Sequence, residues 1–303
     1  MTEGFSSRDD QTVFLLTVDV EDWFQVENFK QWIPFETWGQ RELRVVDNTL
    51  ALLDFLDSRS GVYQIKATFF VLGWLAERYP RLVSEIHARG HEVASHGYNH
   101  RMVPLCSDNE LFEDLSSSRK CLEDILGKQV KGYRAPSFSI EPRLIGMLKR
   151  CGYHYDSSYN SFSGHGRYGT MADVPKASRG IFEWPEGLYE IPVSNLMFRN
   201  RTIPWGGGGF FRLIPERAYT YGVKKKVDQS RVFLFYIHPW EIDPGQPRVT
   251  QASIGFKFRH YVNLNKTLGK LAFLMNHLPE TSFLTCSEYL DNVTPCLEKT
   301  QIL

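Results

Sequence analysis

Apolar positions run along this chain in short blocks, and polar residues gather where the blocks stop. VFLLTVDV, residues 13–20, is β-branched, continuous and ends in acids. Such a run predicts a parallel strand buried on both faces with a polar C-terminal end. Asn48 then predicts the cap of a helix with Leu50, Leu53 and Leu56 on one side and Gly61 behind it. KATFFVLG, 66–73, predicts a second strand, and 74–89 a helix broken near Pro80 and closed by Gly90. HEVASH, 91–96, predicts a short strand. From Asp108 a long helix is expected, with Leu111, Leu115, Leu122 and Ile125 on one face and Gly127 as its stop. Strands are expected over 129–134, at Asp156 and in VFLFYIH, 232–238, with a helix from Pro142 to Gly152. This alternation predicts a βαβα chain with parallel strands.

The strand ends share a chemistry. Asp19, Glu21, His96, Arg134, Asp156 and His238 all fall at predicted strand C-termini. Barrels of β/α units build their active sites at that face, from several strands at once. Residues 157–230 break the pattern, being rich in Gly, Ser, Pro and aromatics, with only YEIPVS, 189–194, reading as a strand. WGGGGFFRLIP, 205–215, lacks the GK[ST] ending of a phosphate loop. It reads either as a flexible turn or as a loop that lets a sugar chain approach the backbone beside Trp205, Phe210 and Arg212. A late helix is expected over 260–277, then a strand and turn in SFLTCSEYL. Repeats and low-complexity segments are absent from the sequence.

Composition narrows the class. The chain has 303 residues, 42% hydrophobic and 23% charged, with a formal net charge of zero. That is a globular composition with no global attraction to nucleic acid or anionic membranes. Lys224, Lys225 and Lys226 read as a solvated face. The cysteines number five, an odd count, and form no CxxC pair. This argues against a disulfide framework and for a reducing compartment. MTEGFSSRDDQTVF carries charge where a signal peptide would be apolar, and no apolar stretch reaches membrane-spanning length. A cytoplasmic location is expected.

HGYNH, 96–100, sets two histidines four apart. On a helical turn both would point the same way and reach one cation. TVDVEDWF, 17–24, supplies acids. An extended strand turns Asp19 and Glu21 to one side and Asp22 to the other. If the strand breaks at Glu21, Asp22 turns inward, so either is a candidate third ligand. The plainer alternative is a pair of satisfied histidines and a solvated acidic loop. Trp23, Trp205 and Trp240 are candidates for stacking on sugar rings or for core packing. His87, His91, His154, His165, His260 and His277 show no ligand spacing with an acid and read as structural.

TVDVED, HGYNH, GYRAPSF, YDSS and YIHPW, in that order, resemble the five motifs of the polysaccharide deacetylases (carbohydrate esterase family 4, NodB-homology type). The likeness runs from about residue 14 to 240. The Asp-Val-Glu-Asp form and the GGGGFFR segment are closer still to deacetylases of exosortase and exopolysaccharide loci. The resemblance implies an α/β fold, a distorted (β/α)7 barrel with an irregular C-terminal extension over about 157–303. The two would interleave in a single domain, 1–303. It implies hydrolytic removal of N-acetyl groups from N-acetylhexosamine units by a metal-dependent enzyme. The expected cofactor is a divalent metal, Zn2+, with Co2+, Ni2+ or Mn2+ as substitutes. Carried over by position, Asp19 is the general base and Arg134 its partner. His96 and His100 bind the metal with Glu21 or Asp22, and His238 is the general acid, oriented by Asp156. Pro136, Phe138, Trp205 and Trp240 are the implied substrate contacts, with a backbone N–H near Phe138 on the oxyanion.

Implied partners are an amino-sugar glycan or lipid-linked oligosaccharide and a second copy of the chain, with no nucleic acid and no integral membrane segment. The chain departs from the family where adjacent aspartates and a glycine are usual: Val20 follows Asp19. Phe138 stands where a tyrosine is frequent, and no clear tryptophan follows Asp156. Two alternatives share the motifs: cleavage of a formamide or cyclic ureide on a small molecule, and a catalytically silent glycan-binding protein.

Overall fold

The structure is a computed structural model that describes residues 12–61, 65–162, 164, 168–169, 171–278 and 281–300, without the side chains of 296–300. His165, residues 1–11 and the Cys296 side chain therefore lie outside the described parts. Strands β1 (Thr12–Val20), β2 (Ala67–Val71), β3 (Glu92–Ser95), β4 (Gly132–Tyr133), β5 (Tyr155–Asp156), β6 (Phe182–Glu183), β7 (Tyr189–Glu190), β10 (Val232–Ile237) and β11 (Thr281–Phe283) form one curled sheet. Its order is β10-β1-β2-β3-β4-β5-β7, all parallel, with β6 antiparallel at one edge. β11 pairs with the first residues of β1. β8 (Asn195–Phe198) and β9 (Arg201–Pro204) make a separate hairpin. The helices are α1 (Val45–Arg59), α2 (Gly73–Arg78), α3 (Pro80–Ala88), α4 (Asp108–Leu126), α5 (Pro142–Arg150), α6 (Gly208–Leu213), α7 (Glu216–Ser230), α8 (Ile254–Tyr261), α9 (Thr267–Asn276) and α10 (Cys286–Thr300).

The period-two rule explains β1 in full. Phe14, Leu16, Val18 and Val20 face outward into the layer shared with the helices. Val13 and Leu15 face inward, packed with Phe70, Ala94, Tyr155 and Leu234. Thr17, Asp19 and Glu21 continue the inward row, and all are buried. The interior thus changes from apolar to polar along one strand, and the polar end is the C-terminal mouth. Cys286, Tyr289, Leu290 and Val293 of α10 fill the opposite, apolar end. Full enclosure of Phe14 and Phe70 stabilises the fold by roughly 1.5–3 kcal/mol each.

Sheet hydrogen bonding leaves β7 and β10 unpaired with each other, and backbone from 193–207 spans that gap. Tyr236 N–H donates to the Gly206 carbonyl at 2.7 Å, and Gly207 bridges Tyr236. A Cβ on Gly206 would lie 2.7 Å from Val193 Cγ1, and one on Gly207 would overlap the Tyr236 ring. Glycines 206–208 are therefore packed backbone rather than a flexible turn or a free path to a sugar, while Gly209 faces open space. The same run starts α6, and α7 follows, where the sequence pattern showed only irregular chain. Helix α1 starts at Val45, three residues before the expected Asn48 cap.

Candidate active site

Glu21, at the end of β1, points its Oε1 at two imidazoles. His96 Nε2 and His100 Nε2 each lie 3.0 Å from it. The three side chains are buried. Their ligand atoms all fall within 4.8 Å of one another, and among the described residues this is the group with that property. His96 Nδ1 donates to the Arg134 carbonyl at 2.8 Å, which fixes the ring with Nε2 as the nitrogen that faces Glu21. Burial acts to raise the Glu21 pKa, but His100 and His96 outweigh it and hold the carboxyl well below its usual range. Burial likewise opposes, and Glu21 overcomes, in raising His100. A cation in the cluster would take over the charge that the proton supplies there. One carboxylate oxygen and two imidazole nitrogens form a mixed donor set suited to zinc and to cobalt, nickel or manganese.

The histidines do not converge through a helical turn. Gly97 (φ 73°) and His100 (φ 51°) adopt left-handed backbone, and the segment is a loop. Asp114 of α4 secures it, accepting from the Tyr98 N–H at 2.9 Å and the Asn99 N–H at 3.2 Å. A Cβ on Gly97 would approach the Asp114 carboxylate to 2.7 Å, so glycine is required on steric as well as conformational grounds.

Asp22 is not a third ligand beside Glu21. It turns away and caps α1: Oδ2 accepts from the N–H groups of Arg44 (2.7 Å) and Val45 (2.9 Å), and Oδ1 from Trp23 (2.8 Å). Two unsatisfied helix N–H groups hold it there. Burial raises its pKa to about 6 against these bonds.

Asp19 sits next to the cluster with Oδ1 accepting from Arg134 Nη1 at 2.6 Å. Arg134 is fully enclosed and spends its other donors on Thr17 Oγ1 (2.8 Å), the Ser157 carbonyl (3.1 Å) and Ser157 Oγ (2.9 Å). Its guanidinium lies 4.1 Å above the Phe70 ring and 5.4 Å from that of Phe138. His238, at the end of β10, places Nε2 at 3.9 Å from both Asp19 Oδ2 and Glu21 Oε1.

Asp156 does not orient His238. It accepts from the Ser157 N–H (2.9 Å) and Ser158 Oγ (2.5 Å), and is buried beside Glu190. Burial raises Asp156 to about 6 and Glu190 well above its ordinary value, so this acid pair retains a proton. The partner of His238 Nδ1 is Glu241 Oε2, at 3.2 Å. The motifs did not single out Glu241, although its position three residues after His238 is the spacing of a capping box.

The implied substrate contacts also move. Trp240 is buried and stacked with both His238 (5.0 Å) and His260 (4.1 Å), so it is packed within the protein rather than open to a sugar. Trp205 is stacked on Tyr219 at 5.2 Å and packed against Gly222. Trp23 is buried with its indole N–H on the Glu42 carbonyl. Phe138 is core, 4.7 Å from the Tyr236 ring, and its N–H already donates to Ala135 at 2.9 Å. Pro136 is buried beside Gly97. What opens next to His100 is a cavity of about 470 Å³, lined by Phe24, Gln25, Glu27, Phe35, Trp38 and Arg101 among others. Its lining mixes aromatic rings with charged and amide side chains.

Residues 39–155 match the family model Polysaccharide deacetylase, and residues 157–291 match Domain of unknown function (DUF3473). A peptidoglycan deacetylase-like protein of Gibberella zeae is 31% identical over 136 residues, covering 44% of this chain and 40% of that one. A peptidoglycan-N-acetylglucosamine deacetylase of Bacillus cereus is 32% identical over 91 residues, covering 30% and 42%. The chain thus spans less than half the length of these relatives. A solved structure from Mycobacterium smegmatis, described as a polysaccharide deacetylase, superposes with a TM-score of 0.61 at 20% identity over 96% of this chain and 93% of that one. It shares the fold. His96, His100 and Arg134 lie inside the matched region, while Asp19, Glu21 and His238 lie outside it and are joined to it by the sheet. Residues 39–155 of this chain are thus similar in sequence to the polysaccharide deacetylases, and the fold they sit in is one that such proteins share.

Proposed function

We propose that the protein is a metal-dependent hydrolase that removes N-acetyl groups from N-acetylhexosamine units of a glycan or its lipid-linked precursor. The observation that carries this is the meeting of Glu21, His96 and His100 with Asp19 and His238 at one mouth. The relatives' names, which include an N-acetylglucosamine deacetylase, support the substrate class. Zinc is the ion we assign first, on the donor set, with cobalt, nickel or manganese as replacements. The Asp-Val-Glu-Asp motif and the GGGGFFR segment support a place among deacetylases of exopolysaccharide loci. Free thiols at Cys106, Cys121, Cys151 and Cys286 support a cytoplasmic setting. Participation of β10 and β11 in the sheet beside β1 supports a single domain over the whole chain.

A cation on Glu21, His96 and His100 would supply Lewis acidity, polarising the amide carbonyl and acidifying water. The chain's own groups do the proton work. Arg134 fixes Asp19 by one oxygen and turns the other toward His238, so Asp19 accepts the proton of the attacking water. His238 then gives a proton from Nε2 to the departing nitrogen, since a neutral amine leaves where an amide anion does not. Burial alone would lower the His238 pKa, but Glu241, Glu21 and Asp19 raise it to about 9. A dication on Glu21 offsets part of that rise. The carboxylates around His238 favour its protonated form, the form a general acid needs.

Purified protein loaded with zinc is expected to release acetate from N-acetylglucosamine oligomers. Chelation should abolish release and added zinc should restore it. Formate or a ring-opened ureide in place of acetate assigns the site to small-molecule amides instead. Tight oligomer binding without any product identifies a silent binding protein.

A further inference from the structure

The glycine run, Arg212 and Glu241 were left without a role by the motifs, and the fold brings them together behind His238. Glu241 Oε2 accepts from the His238 backbone N–H at 3.0 Å and faces its Nδ1 at 3.2 Å. Glu241 Oε1 accepts from Arg212 Nε at 2.9 Å. Arg212 is almost wholly enclosed, and its remaining donors reach the carbonyls of His260 (2.9 Å), Val262 (2.7 Å) and Arg259 (2.9 Å). Each of those bonds anchors the guanidinium to backbone rather than to a mobile side chain. Gly208 lies against the Glu241 carboxylate so closely that a Cβ there would overlap it. The Trp240 ring supports the His238 face, and the Arg212 guanidinium sits 5.5 Å over the same indole.

We propose that Glu241, clamped by Arg212 over the glycine run, is the positioning residue that fixes the ring and tautomer of His238. The inference rests on His238 being the general acid of the proposed reaction. A carboxylate at Nδ1 keeps the proton there and leaves Nε2 to donate toward the centre of the site. The C–N bond breaks as Nε2 gives its proton to the departing nitrogen. Free amine and acetate leave, and neutral imidazole stays bonded to Glu241 through Nδ1–H. Burial opposes ionisation of Glu241, and Arg212 and His238 overcome it, so the group remains a carboxylate. The resemblance assigned this task to Asp156, which is bonded elsewhere.

The test compares two leaving groups. An acetylated amino sugar needs a proton on its nitrogen, whereas 4-nitrophenyl acetate releases a phenolate that needs none. Loss of the carboxylate behind a metal-ligating histidine typically costs about 10–100-fold, and a loss of that order is expected behind His238. Glu241→Gln in the zinc-loaded protein is expected to lower kcat on the amide at least about tenfold more than on the aryl ester, with KM for the oligomer unchanged. Added to His238→Ala, it should cost nothing further on the amide, as coupled residues are not additive. Equal losses on both substrates, or a selective amide loss in Asp156→Asn but not in Glu241→Gln, overturns the proposal. A second readout is independent of turnover. The ¹H–¹⁵N spectrum of the zinc-loaded protein should show His238 protonated at Nδ1, with that signal shifted in Glu241→Gln. A His238 found unprotonated at Nδ1 overturns the assignment even if acetate is released; a correct signal without acetate release leaves Glu241 in place and removes the proposed reaction instead.

Discussion

Asp19→Asn is expected to lower kcat for acetate release by about 10²–10⁴-fold, the usual loss for a positioned base. Asparagine is the informative replacement because it keeps an oxygen for the 2.6 Å bond from Arg134. Alanine would leave a fully enclosed guanidinium without its carboxylate, and breaking a buried pair in that way costs about 3–5 kcal/mol. That loss would confuse catalysis with folding. With asparagine, bound metal should remain at one equivalent and KM should change little, because Asp19 lies outside the ligand cluster. Retention of half the activity or more would remove Asp19 from the chemistry.

The second large effect separates two neighbouring acids. Glu21→Gln should reduce bound zinc to well under a tenth of an equivalent and acetate release with it. The amide that replaces Glu21 brings no charge to a dication already short of one. Asp22→Ala should keep the metal and act on stability instead. It removes the acceptor for the N–H groups of Arg44 and Val45, and loss of such a cap costs about 0.5–2 kcal/mol. The readout is metal content by mass spectrometry, paired with thermal unfolding. If Asp22→Ala lost the ion and Glu21→Gln kept it, the ligand assignment would be reversed.

The parallel sheet could be read from the sequence because its strands are short apolar runs enclosed on both faces. β1, β2 and β10 lie where VFLLTVDV, KATFFVLG and VFLFYIH placed them. Choosing between Glu21 and Asp22 needed three dimensions. The helix that Asp22 caps begins 23 residues later, and local pattern cannot show a cap supplied from so far away. The histidine spacing suggests a helical turn, but the segment is a loop, since the positive φ of His100 has no sequence signature. Glycines 206–208 look like flexible chain, yet their lack of a Cβ lets backbone and carboxylate pack against β10 and Glu241. Trp205 and Trp240 showed the right residue type for sugar stacking, but whether a ring face is already covered depends on its neighbours in space. Glu241 left a faint trace, a carboxylate three residues past His238.

All of these roles depend on one cation at one mouth of the sheet. The most direct test is a crystal of the zinc-soaked protein with anomalous data collected on both sides of the zinc edge. A single strong peak bonded to Glu21 Oε1, His96 Nε2 and His100 Nε2, at about 2.0–2.2 Å from each, is the predicted result. A peak on Asp22, or ion density only at sites away from His96 and His100, would contradict it.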